Sequence, residues 1–109
     1  MLFIGPKARI LGFSAPLVLG LGVLNGFSTK NNFDFILSHG IDGIHSRASI
    51  HYNGNAADVC YASPVSAQDK LKFWKDLQRS LGQDFDVLFE SIGTDNEHLH
   101  IEFQPKETY

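Results

Sequence analysis

Hydrophobic and polar positions alternate along the chain in patterns that predict a small set of elements. From Ser14 the pattern turns apolar on all sides. Pro16 stands in the first turn, so a helix is predicted from Ser14 into the low twenties. Phe33, Phe35 and Leu37 then alternate with Asp34, Ile36 and Ser38, which is the period of a half-buried strand. A turn-rich stretch from His39 to about Asn55 follows, and the chain extends again from Ala56 to Tyr61. Ser66, with Asp69 three residues later, predicts a capped helix running to Leu81 and stopped by Gly82. Leu71, Trp74, Leu77 and Leu81 form its expected buried stripe. Phe85–Glu90 and His98–Phe103 read as strands joined through Ser91–Glu97, a loop containing Gly93, and so as an antiparallel hairpin. The sum is an α+β domain: a small antiparallel sheet with two main helices.

A chain of 109 residues suits one compact domain, here the whole of 1–109. Hydrophobic residues make up 43% and nine are Phe, enough to build a core and to argue against disorder. The net charge of -3, with no run of like charge, gives no electrostatic basis for nucleic-acid binding. The single cysteine, Cys60, has no partner for an internal disulfide and reads as a small buried hydrophobe. The apolar stretch from Ile10 to Phe27 follows Lys7 and Arg9, as a signal peptide or anchor would. Gly12, Gly20, Gly22 and Gly26 interrupt it, no small-x-small cleavage site closes it, and the unbroken part is short for a membrane span. It is therefore expected to be a core-packed helix with no membrane span, the targeting reading standing as the alternative.

Two segments carry candidate chemistry. In Glu97-His98-Leu99-His100-Ile101-Glu102, strand alternation sends Leu99 and Ile101 inward and puts His98, His100 and Glu102 on the opposite face. In Ser49-Ile50-His51-Tyr52-Asn53-Gly54-Asn55-Ala56-Ala57-Asp58, Gly54 permits a tight reversal that lets His51 and Asp58 converge. Ala56 and Ala57 leave room for a close approach. Together the segments offer two imidazoles and a carboxylate, a suitable zinc donor set. A catalytic zinc commonly has three protein ligands and keeps a fourth position for a water whose pKa it lowers.

The first segment matches, position by position, the Ser-x-His-x-x-Gly-x-Ala-x-Asp signature of a zinc peptidase family. That family contains bacterial D-alanyl-D-alanine carboxypeptidases and dipeptidases and phage L-alanyl-D-glutamate endolysins, and its zinc-binding fold is related to that of hedgehog signalling domains. The second segment resembles the family's downstream motif as both Glu97-x-x-His100 and His98-x-His100. The resemblance spans roughly 33–103. It implies a hedgehog/D-Ala-D-Ala-peptidase-like fold and a hydrolase acting on peptidoglycan stem peptides through a zinc-activated water. His51, Asp58 and His100 would be the zinc ligands and Glu97 the general base. His98 would steady the developing oxyanion, and Ser49 would brace the ligand loop. Ile41-Asp42-Gly43 and the ending Phe103-Gln104-Pro105 resemble short phage-encoded members. Such a protein would act at the bacterial cell wall or periplasm, made in the host cytoplasm if phage-encoded.

Which bond is cut and the oligomeric state stay open. No arginine aligns with the one that active members commonly place upstream of the first motif; Arg47 is near in sequence and Arg9 distant. Glu90, Asp95 and Glu102 are rivals to Glu97 as the base, although Glu102 also reads as an exposed strand residue. His39 and His45 read as loop residues rimming a groove, and Arg47 and Tyr52 as contacts for a peptide carboxylate or as plain surface. The alternative to an enzyme is a zinc-stabilised binding or structural domain without turnover.

Overall fold

The computed structural model describes residues 1–6, 8–39 and 55–105. In chain order they form β1 (Leu2–Ile4), α1 (Ala15–Lys30), β2 (Phe35–His39), β3 (Ala56–Tyr61), α2 (Ala67–Leu81), β4 (Phe85–Glu90) and β5 (His98–Phe103). The strands make one sheet in the order β1-β2-β3-β5-β4. The fold is α+β with two helices, as expected, but the sheet is mixed, not antiparallel throughout. β1 runs parallel to β2, and the remaining neighbours are antiparallel. Parallel neighbours need a long crossover, which α1 supplies. β1 is three residues of unbroken Leu-Phe-Ile, too short to carry a period.

α1 starts as its sequence predicts. The Ser14 Oγ accepts a hydrogen bond from Leu17 N at 3.3 Å, and Pro16 lies in the first turn. It runs past the low twenties to Lys30 because Leu24, Phe27 and Ser28 extend the buried face for one more turn. Its other face is apolar and exposed, with Val18 and Leu19 uncovered. At 16 residues it is no span; no helix among the described residues is long and apolar enough to cross a membrane.

α2 keeps its predicted bounds. Ser66 Oγ accepts from Asp69 N at 3.1 Å, and Gly82 closes the helix at φ 87°, where a side chain would be strained. Its stripe is shifted from expectation. Phe73 and Leu77 are buried, Trp74 and Leu81 pack at the margin, and Leu71 is exposed. The aromatic surroundings explain the shift. Phe73 sits among Phe27, Phe33, Phe35 and Tyr61, a cluster that Leu71, two residues earlier and so on the opposite side of the helix, does not reach.

Both helices cover the same face of the sheet. Leu17, Leu21, Leu24, Phe73 and Leu77 meet Phe35, Leu37, Ala57, Val59, Val87, Phe89, Leu99 and Ile101 in one core. α2 also protects the open edge of β4. Trp74 Nε1 donates to Val87 O at 2.7 Å, and Gln78 Oε1 accepts from Val87 N at 2.8 Å. Backbone groups that would otherwise invite a further strand are thereby satisfied. The strand residues of opposite parity, from Ser38 through Asp58 and Cys60 to His98, His100 and Glu102, face away from the helices.

Candidate metal centre

β3 and β5 pair so that Asp58 stands opposite His100. Both belong to the face turned away from α1 and α2, because their neighbours Ala57, Val59, Leu99 and Ile101 fill the core. The two side chains meet: His100 Nδ1 lies 2.8 Å from Asp58 Oδ1, across 42 residues of sequence. Asp58 is buried, with a relative exposure of 7%. The small Ala56 and Ala57 beside it are fully buried. The other ring nitrogen, Nε2, lies 2.6 Å from Glu102 Oε1. Burial disfavours charge on this imidazole. The hydrogen bonds and charges of Asp58 and then Glu102 outweigh it and raise the His100 pKa to about 9.

Two further histidines approach the same carboxylate. His98 Nε2 lies 4.0 Å from Asp58 Oδ1 and 3.1 Å from Glu90 Oε1, its partner across the β4–β5 ladder. His98 Nδ1 lies 2.6 Å from Asn96 O. A carbonyl only accepts, so this nitrogen carries the hydrogen. His39 is not the loop residue its surroundings suggest. It ends β2, where a register shift after Leu37 sets it opposite Asp58 and leaves its Nδ1 4.0 Å from Asp58 Oδ2. The shift also frees Ser38, whose Oγ donates to Asp58 O at 3.3 Å and accepts from Cys60 Sγ at 3.5 Å. Cys60 is half-buried on this face, not in the core.

The expected ligands His51, Asp58 and His100 are thus described in part. Asp58 and His100 are brought together. His51 lies outside the described residues, as do Ser49, Gly54, His45, Arg47, Tyr52 and Ile41-Asp42-Gly43. Among the described residues no group of three His, Cys, Asp or Glu side chains is arranged to hold an ion. The two donors that are described do suit zinc. A nitrogen and an oxygen each bonded to one tetrahedral zinc at about 2.0–2.2 Å lie roughly 3.4 Å apart; the pair stands at 2.8 Å, in direct hydrogen-bond contact, and would part by roughly half an ångström to admit the ion.

Glu97 is held elsewhere. Its Oε2 lies 2.5 Å from Lys70 Nζ at the start of α2, and its Oε1 accepts from Gly93 N at 3.0 Å. Lys70 stands over the Tyr61 ring, which packs against Phe35 and Phe73 on the helix side of the sheet. Glu97 therefore sits across the sheet from Asp58 and His100. The Lys70 hydrogen bond and then the Gly93 amide hold its carboxyl below the usual range, which weakens it as a base. Burial, and then the Glu97 charge, raise the Tyr61 phenol.

Glu102 is not the exposed strand residue its alternation allowed, for its side chain is only 12% exposed. The Gln104 amide, with its nitrogen toward the carboxylates, donates to Glu102 Oε2 at 2.7 Å and to Asp86 Oδ2 at 2.9 Å. Shared strand parity is the signal for Glu102, whereas Gln104 stands out in the sequence only as part of the ending Phe103-Gln104-Pro105, with nothing there to mark its contact with Glu102. Asp95 is exposed in the β4–β5 turn.

No protein-family model, curated protein or solved structure matches this chain.

Proposed function

We propose that this chain is a zinc-dependent metallopeptidase acting on peptidoglycan stem peptides, of the D-Ala-D-Ala carboxypeptidase or endolysin type. The supporting observation is the 2.8 Å approach of His100 to Asp58, two side chains drawn from separate motifs onto the face turned away from α1 and α2. His51, Asp58 and His100 are the proposed ligands. A bound zinc would supply Lewis acidity toward a carbonyl and a water of lowered pKa. Asp58 and His100 would hold it from facing positions of the β3–β5 ladder. His98 and His39 are polar side chains beside this pair that can meet a peptide bound there, and His98 is the one held by neighbours on both ring nitrogens. Its ring is oriented by Asn96 O on one nitrogen and Glu90 on the other. Glu90 is accordingly the proposed proton acceptor acting with His98, in place of Glu97.

A zinc-stabilised domain without turnover is the second reading. The Lys70–Glu97 bond favours it, since the carboxylate that the resemblance makes the base is held away from the pair. Metal content and muropeptide cleavage, each with and without chelator, decide between them. Near-stoichiometric zinc with chelator-sensitive cleavage supports the peptidase. Zinc without cleavage supports the second reading. Failure to bind added zinc overturns both.

A further inference from the structure

We propose that Glu102 is the positioning residue of the metal centre, with Gln104 as its brace; this rests on the reading of Asp58 and His100 as ligands. An imidazole offers two nitrogens to an ion and needs its ring fixed so that one of them faces it. In zinc proteins a carboxylate on the far nitrogen commonly sets both the tautomer and the ring plane.

Glu102 has that geometry. It follows His100 by two residues in β5, so both side chains leave the same face of one strand. Its Oε1 takes Nε2 at 2.6 Å, which leaves Nδ1, the nitrogen facing Asp58, as the one turned to the ion. The carboxylate is fixed in its turn. Its other oxygen accepts from the Gln104 amide, which also donates to Asp86 on β4, directly opposite Glu102 in the ladder. A chain of contacts thus runs from Asp86 through Gln104, Glu102 and His100 to Asp58, across three adjacent strands. Its outer members have no need to touch substrate to matter.

The test is zinc affinity of the full chain, measured by chelator competition for wild type, Glu102→Ala and Glu102→Gln, with melting of the metal-free proteins as the fold control. Glu102→Ala is expected to bind zinc roughly 10–100-fold more weakly. Glu102→Gln, which keeps an acceptor oxygen, should recover most of that loss. Long-range nitrogen–proton NMR of the zinc-loaded wild type should find the His100 hydrogen on Nε2. A folded Glu102→Ala with wild-type affinity, or zinc on Nε2, overturns the proposal and leaves the ligand reading standing. A wild type that binds no zinc removes both. Should the alanine variant fail to fold, the NMR assignment on wild type still decides.

Discussion

Substituting Glu97 by Gln separates two roles for one carboxylate. The change keeps size and an acceptor oxygen for Gly93 N, and removes only the charge that faces Lys70. Exposed ion pairs contribute about 0–1 kcal/mol, and breaking a fully buried one costs about 3–5 kcal/mol. Lys70 and Glu97 are 21% and 16% exposed, between those limits, so a loss of about 1–2 kcal/mol follows. For a domain of this size that is a fall in Tm of roughly 4–8 °C. The double variant with Lys70→Met should lose less than the sum of the single changes. The pH dependence has a definite sign. The folded carboxyl is depressed, so its contribution is complete above the ordinary glutamate range and is lost as pH falls through the depressed value. The Gln variant should lack that acid-side loss. Zinc content and cleavage should change little. A general base would behave oppositely, with melting unaltered and the rate down by about 10²–10⁴-fold. That second pattern would refute the placement of Glu97 on the helix side of the sheet.

Four further outcomes are expected. Asp58→Ala should lose zinc and any cleavage together, read by metal analysis and muropeptide digestion; full activity in that variant would sink the assignment. Gly20→Ala should destabilise by about 1 kcal/mol net, because an added Cβ comes within 2.7 Å of the Phe85 ring and overpacking outweighs the gain in helix propensity. Gly22→Ala, which meets nothing within 4 Å, should stabilise by about 0.5–1 kcal/mol; urea melts with the reverse order would contradict this packing. In chelated, metal-free protein, His100 should contribute up to about 3 kcal/mol of stability. Its folded pKa is raised, so that contribution is complete below the unfolded value near 6.5 and is lost as pH rises through about 9. Urea unfolding that is flat between those values would exclude it.

Much of the fold was legible because its elements carry strong local signals. Ser66 and Gly82 bracket α2, alternation marks β5, and the extended readings of 56–61 and 85–90 coincide with β3 and β4. The misses share a cause, which is tertiary context. β1 has no period of its own and is a strand because β2 offers it a partner. Phe73 displaces Leu71 from the core because four aromatic rings converge there. His39 looked like a loop residue because the register shift that turns it toward Asp58 depends on β3, beyond the reach of a local pattern.

The same distinction separates the two glutamates flanking the His98–His100 pair. Glu97 has the spacing of the motif that the segment resembles, and that spacing alone is what proposes it as the base. It precedes the strand, where alternation no longer sets direction, and there a lysine 27 residues away decides which side of the sheet it takes. Glu102 lies inside the strand, where alternation does hold, and it emerges beside His100 as parity requires. Within β5 the sequence order of side chains is also their spatial order. One residue outside it, partners on α2 take over. A motif is thus most informative where a ladder enforces its geometry, and for this chain that limit falls between Glu97 and His98.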